Sequence, residues 1–482
     1  MKIAFGVVFA ILGLAMFPAG RRSRLVLAIA ALIFAYGGYL LFAGIKAWRT
    51  EKLVIAFIGA AERGDLPAVR LMADSYPSFI NASQTIEGGS EVKWPLTVAA
   101  KELHGDVVEF LLTRGAIVDA DNDDGATALH EAGANDTYGD ESISVQRLAT
   151  LHSLLAHGAN VNARDSRQRT PLMSNARDAK AMALLIDHRA DVKAKDSSGR
   201  TALHYAATSH WNTSDSITLL LDRGSEVDTR DRYGNTPFLL AGSAGNAENV
   251  ETLVARGADP KARDTAGDTA LHLAARSPMN LYSDLQVLAV LCANGLRPDL
   301  RDHAAATPLG LAQAGLAGER SAGWMKGRKR IVTFLDPGGP CTRLAGATKK
   351  QRAFVVAGMR CAEDDRGGCA ALAWDYDTGE GTTVDQARAA ELWDKACRLG
   401  SRTSCTNLAY DFDHGEGVVE DPQHAATLYG QMCDAGEMRA CYFLGLMTSS
   451  GRGVAKDEAR AAALFRRACA GGESNACERA GG

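Results

Sequence analysis

Thr201-Ala-Leu-His-Tyr-Ala-Ala207 recurs in variants through the middle of this 482-residue sequence, and its spacing decides the fold. Its copies are Thr127-Ala-Leu-His130, Thr170-Pro-Leu-Met173, Thr236-Pro-Phe-Leu239, Thr269-Ala-Leu-His272 and Thr307-Pro-Leu-Gly310. Trp94-Pro-Leu-Thr97 is a degenerate copy upstream. From Thr127 onward the intervals are 43, 31, 35, 33 and 38 residues, and such self-similarity marks a stack of repeated units. Thr is expected to cap a helix, and Pro, where present, falls at the first helical position, where its missing N–H costs nothing. Apolar clusters such as Phe110-Leu-Leu112, Leu184-Leu-Ile186 and Leu219-Leu-Leu221 end a second helix. Gly115, Gly158, Gly224, Gly257 and Gly295 follow, each able to stop that helix in the left-handed conformation.

These residues resemble the ankyrin repeat over about 51–335, in eight units with degenerate ends. An Asp opens the turn between units, as in Asp196-Ser-Ser-Gly199, Asp231-Arg-Tyr-Gly234 and Asp264-Thr-Ala-Gly267. The resemblance makes these turns protruding fingers, and it gives His130, His204 and His272 a structural role, bonding backbone between units. The pattern fails at Gln168 and Ala305, where the finger Gly is missing, and at Arg189, which replaces a helix-stop Gly. Irregular units are expected there.

Asp336-Pro-Gly-Gly-Pro340 breaks the helical pattern and reads as a linker at 336–340. Beyond it a strict 36-residue period runs through Cys361, Cys397, Cys433 and Cys469, and again through Cys369, Cys405, Cys441 and Cys477. Gly381, Gly417 and Gly453 keep the step, as do Trp393, Tyr429 and Phe465. With Gly415-Glu-Gly-Val418, Asp421, Ala425-Ala426 and Leu428-Tyr429, residues 341–482 resemble the Sel-one-like repeats, helix-pair relatives of tetratricopeptide repeats. The eight-residue cysteine offset is similar to that of the secreted, disulfide-bonded branch of that family. In one continuous helix such partners would stand about 12 Å apart, beyond disulfide reach. Gly400, Gly436 and Gly471 let the chain reverse between them, so the expected bridges are Cys361–Cys369, Cys397–Cys405, Cys433–Cys441 and Cys469–Cys477. Each would add about 2.5 kcal/mol on a chain-entropy argument. Eight buried free thiols are the competing reading. Cys292 falls in an apolar helix and is expected to be a packed free thiol, with Cys341 left over.

Residues 3–20 and 25–45 are uncharged apolar runs separated by Arg21-Arg-Ser-Arg24. As helices they would span about 27 and 31 Å, enough for a bilayer core. A transmembrane hairpin over residues 1–50 is favoured because only four polar residues part the runs; the rival reading makes the first run a signal peptide. The arginine turn then lies on the cytoplasmic side. Disulfides need an oxidising compartment, which places residues 46–482 on the opposite, periplasmic face of an inner membrane.

The remaining motifs carry little chemistry. Ser90-Glu-Val-Lys93 has the spacing of serine penicillin-recognising enzymes, but no Lys-Thr-Gly or Ser-Asp-Asn partner accompanies it. Asp375-Tyr-Asp377-Thr-Gly379 and Asp411-Phe-Asp413-His-Gly415 begin like calcium loops, yet Gln386 and Pro422 stand where the terminal Glu belongs. Solvated helix ends are expected there. The 53 Lys+Arg against 57 Asp+Glu leave no basic footprint for nucleic acid.

The expectation is therefore an all-α chain: transmembrane hairpin, ankyrin solenoid, then Sel-one-like solenoid. It is read as a membrane-anchored scaffold binding protein partners in the bacterial envelope. No enzymatic activity, cofactor, metal or small-molecule substrate is expected, and the bilayer contact runs through residues 3–45. The alternative is a penicillin-recognising or peptidoglycan-linked envelope protein, because some cysteine-rich Sel-one-like proteins carry a β-lactamase label. Three units carry extra residues between their helices, Ala134–Ser144, Thr208–Asp215 and Ser277–Asp284. Their aromatics Tyr138, Trp211 and Tyr282 are the candidate partner-binding residues, since Tyr and Trp are favoured anchors in binding hot spots.

Overall fold

The structure is a computed structural model that describes residues 50–85, 92–133, 141–209, 213–276, 283–318 and 322–480. The expected hairpin at 3–20 and 25–45 lies outside them. Among the described residues, no helix is long and apolar enough to cross a membrane. The chain divides into two compact units, Met1–Ala202 and Leu203–Gly482.

The first unit alternates short helices with turns: 50–62, Leu66–Ser75, Pro95–Lys101, Gly105–Thr113, Ala128–Glu131, Glu141–Ala156, Pro171–Ser174 and Ala179–Asp187. One antiparallel strand pair, Gln84–Thr85 with Val92–Lys93, departs from the all-helical expectation. The apolar positions of the motif face inward, so that Leu96, Leu129, Leu154 and Leu172 are fully buried. Amid them lies one charged pair, Arg147 Nη1 at 3.0 Å from Asp178 Oδ2. Arg147 also donates to the Ala132 carbonyl, and Asp178 caps the helix Ala179–Asp187, so neither charge is left uncompensated.

Each of the fingers at Asp165, Asp196 and Asp231 is built by one carboxylate, and the finger at Asn122 by its amide oxygen. Asp165 Oδ1 accepts the N–H groups of Arg167 (2.9 Å) and Arg169 (2.7 Å). Asp196 does the same for Ser198 and Arg200, as does Asp231 for Tyr233 and Asn235 in the second unit. The fingers are joined by backbone, Ser166 N–H to the Asp124 carbonyl and Ser197 N–H to that of Arg167.

The expected irregularity at Gln168, Ala305 and Arg189 does not occur. They take the left-handed conformation themselves, at φ 61°, 61° and 70°. The reason is a balance of magnitudes. A left-handed non-Gly residue costs about 1–2 kcal/mol. Opening the finger around Gln168 would release three hydrogen bonds to Asp165, each worth about 1 kcal/mol. At the helix stops the regular glycines have open space where a Cβ would point, so only torsional strain opposes a side chain such as that of Arg189.

The second unit continues the array with Ala202–Ala207, Ser214–Asp222, Pro237–Ala244, Ala247–Ala255, Ala270–Arg276, Ser283–Ala293, Pro308–Gly318 and Ala322–Leu335. Residues 336–340 turn tightly, Gly339 N–H bonding the Asp336 carbonyl, into the 3-10 turn Pro340–Arg343. Helices of 13 residues then repeat: Arg366–Thr378, Gln386–Arg398, Arg402–His414, Pro422–Asp434, Met438–Ser450 and Glu458–Ala470. They are flanked by Lys349–Ala362 and Ser474–Ala480. The repeated Gly-x-Gly is a close-approach device. A Cβ on Gly417 would overlap the Gln386 carbonyl oxygen of the preceding unit, and one on Gly453 that of Pro422.

Three anchors join the cysteine-rich array to the one before it. Glu251 is ion-paired with Lys349 (3.6 Å) and Arg352, and Glu363 with Lys326 (3.6 Å) and Arg330. Cys292 is bonded to Cys341 across 49 residues of sequence.

Glycine at positions 168, 189 or 305 is expected to stabilise the chain by about 1 kcal/mol each. Thermal melting checks this, and unchanged or lower midpoints would mean the side chains there contribute more than the strain costs.

Candidate functional site

The four expected cysteine pairs form, with Cα atoms 4.3–4.7 Å apart. The reversal uses Gly400, Gly436 and Gly472, and in the first ring Asp364, all left-handed. Gly471 is not the turning residue: its φ is −90°. Cys292 is buried as expected but is not a free thiol, because the chain returns past its helix and brings Cys341 to it. The even total of ten cysteines was the available signal.

Tyr138, Trp211 and Tyr282 lie outside the described residues, as does Ser90. Lys93 is engaged, its Nζ 2.8 Å from Glu62 Oε1. The motif histidines are structural elements. Thr127 N–H donates to His130 Nδ1 at 3.2 Å, so the proton sits on Nε2, which faces the Arg169 carbonyl at 3.0 Å. His272 repeats this between Thr269 and Ala306, and His204 Nε2 reaches the Asn235 carbonyl. Burial holds both His130 and His272 below the usual histidine range. Thr caps by its own hydroxyl at Thr236, whereas at Thr127 and Thr269 the histidine ring accepts the Thr N–H.

A cleft of about 580 Å³ adjoins the Cys292–Cys341 bond, lined by Leu296, Leu309, Leu335 and Pro337. Its charged residues, Arg297 and Asp299, pair with each other at 2.7 Å. The lining brings no nucleophile and base together.

Chemistry concentrates instead on helices Arg366–Thr378, Arg402–His414 and Met438–Ser450. Equivalent positions 36 residues apart hold Trp374, half exposed, then Tyr410 and Leu446. Tyr410 stacks on His414 (4.0 Å between centroids) and meets the edge of Phe443 at 5.8 Å. Phe443 stacks on Tyr429 at 5.3 Å.

Of the two acidic turns expected as solvated helix ends, residues 375–379 stay partly exposed, whereas the aspartates of the second are buried. Asp411 is 6% exposed and Asp413 8%, and Arg452 of the following unit reaches Asp413. Among the described residues, Asp411 Oδ2 and the fully buried Tyr429 hydroxyl have no hydrogen-bond partner. Burial, with the charges of Asp377 and Glu416, pushes the Asp411 carboxyl up to about 7. Burial and Glu380 push Asp375 up to about 6. Among the described residues, no group of His, Cys, Asp and Glu is arranged to hold a metal ion.

Comparison with known proteins identifies both arrays. A family model described as ankyrin repeats (3 copies) matches residues 142–231 and 209–302. One described as the Sel1 repeat matches 367–401, 403–437 and 439–473. Neurogenic locus notch homolog protein 1 of Danio rerio is 33% identical over 162 residues, which are 33% of this chain and 6% of that protein. A transient receptor potential cation channel subfamily A member 1 homolog of Caenorhabditis elegans is 30% identical over 169 residues, 34% of this chain and 13% of that protein. The chain thus spans a small part of these curated relatives. The crystal structure of the human ASB11 ankyrin repeat domain aligns with a TM-score of 0.39 at 21% identity, covering 50% of this chain and 98% of that one.

Buried Asp411 and the buried motif histidines respond to pH in opposite senses. Asp411 has a folded pKa above its unfolded 3.8, so its contribution to stability falls as pH rises from about 4 to 7. His130 and His272 have folded values below 6.5, so their contribution is full above that pH and is lost as pH falls through it. Asp411→Asn is expected to raise stability by about 2 kcal/mol at pH 8, with the gain vanishing near pH 4. Melting curves at several pH values check this; a gain independent of pH would mean that the charge of Asp411 is not what burial opposes.

Proposed function

We propose that this chain is a tethered repeat scaffold that binds protein partners, held through residues 3–45 to a bacterial inner membrane with its repeats in the periplasm. Ankyrin followed by Sel1 repeats carries the reading, since both families point to protein–protein interaction and are typically non-catalytic. Five disulfides fit an oxidising compartment, extracellular or periplasmic. The membrane tether rests on the two apolar runs of the sequence alone. Penicillin recognition has no comparable support, because Lys93 is committed to Glu62.

On this reading Tyr138, Trp211 and Tyr282 are the partner-binding residues of the ankyrin array, a proposal that rests on their alternation in the sequence. Alanine at all three is expected to weaken partner capture by a crosslinker in membrane extract while leaving the melting temperature nearly unchanged. A large drop in melting temperature would identify the rings as packing groups.

The location is tested separately. Alkaline phosphatase fused after Gly482 is expected to be active in intact bacterial cells; an inactive fusion would place the repeats in the cytoplasm.

A further inference from the structure

The Sel1 array contains the same niche twice, once filled and once empty of positive charge. In the later copy Arg452, the middle residue of Gly451-Arg-Gly453, reaches back one unit. Its Nε lies 3.1 Å from Asp413 Oδ1, its Nη2 lies 2.8 Å from Glu420 Oε1, and it also donates to the Asp413 carbonyl. Shifted by 36 residues, Asp413 becomes Asp377, Glu420 becomes Val384 and Arg452 becomes Glu416. Met447 of the filled copy becomes Asp411. A guanidinium and a thioether are thus replaced by two carboxylates, facing the same aspartate position.

The earlier copy therefore holds Asp377, Asp411 and Glu416 with no internal cation. None of these three carboxylates makes an ion pair or side-chain hydrogen bond among the described residues, whereas the nearby Asp413, Glu420 and Glu380 are all ion-paired. The Tyr429 hydroxyl, fully buried and within electrostatic reach of Asp411 and Asp413, also has no hydrogen-bond partner among the described residues, and Asp413 Oδ1 meets Arg452 only as an ion pair. Tyr410, stacked on His414 and within electrostatic reach of Glu416 and Asp411, offers an aromatic ring beside these carboxylates on which a planar guanidinium can stack.

We infer that the niche formed by Asp377, Asp411 and Glu416 receives an arginine side chain from a protein partner, seated as Arg452 is seated against Asp413 one repeat later. The inference rests on the scaffold reading and names the chemistry of one anchor. Arginine fits better than lysine, because Arg452 uses separate nitrogens for separate oxygens, which a compact ammonium does not reproduce.

The test uses the full chain and Nα-acetyl-arginine amide as the probe, with the citrulline analogue as the uncharged control, followed by NMR. Saturable shifts at Asp411 and Tyr410 are expected with the arginine probe alone. Asp411→Asn should weaken binding about tenfold. Glu416→Arg should place an arginine in the niche from within, abolish probe binding and raise the melting temperature. Equal binding of the citrulline analogue, or no saturable binding of either, would overturn the proposal and leave a buried water or a proton as the partner of Asp411. Crosslinked partner capture separates the two readings. Capture unchanged in both variants would sink the niche and leave the scaffold standing, whereas no capture by the parent chain would sink the scaffold whatever the probe does.

Discussion

No single helix pair in this chain can bury its own apolar face, so every unit depends on the register in which the next one stacks. In the ankyrin array that register is held by backbone bonds. One finger carboxylate gathers two N–H groups, and the finger so shaped donates to the carbonyl of its neighbour. His130, His204 and His272 add a second tie from their helix starts to the next finger. These bonds fix main chain to main chain and leave the outer side chains free to vary, which suits a binding surface that differs between units.

The Sel1 array meets the same demand differently. Its units are longer helix pairs closed by local disulfides, and neighbouring units approach until only glycine fits at Gly381, Gly417 and Gly453. Tight repetition has an electrostatic consequence. A residue packed between neighbouring units loses its water, so its charge is costly unless it is matched. Arg452 supplies that match for Asp413, and Glu416 worsens the same position one unit earlier. Three changes of residue type between equivalent registers thus replace an ion pair with an unmatched acidic cluster.

The periodic features were legible in the sequence, because periodicity is a local property that survives without coordinates. The Thr-x-x-His copies, the Asp and Gly fingers, the 36-residue cysteine step and the four local disulfides all follow from spacing and turn chemistry. Three things were settled only in the folded chain. Gln168 and Ala305 keep the turn geometry because the hydrogen bonds of the finger outweigh the strain of a left-handed side chain, and Arg189 keeps the helix stop because a Cβ there meets open space at the equivalent glycines. Cys292 pairs with Cys341, which no period links, because the chain after Leu335 folds back onto the helix Ser283–Ala293. Asp411 and Asp413 read as solvated helix ends, since sequence spacing gives the end of a helix but not what covers it. The neighbouring unit covers them, and burial by an element 36 residues away is a tertiary fact.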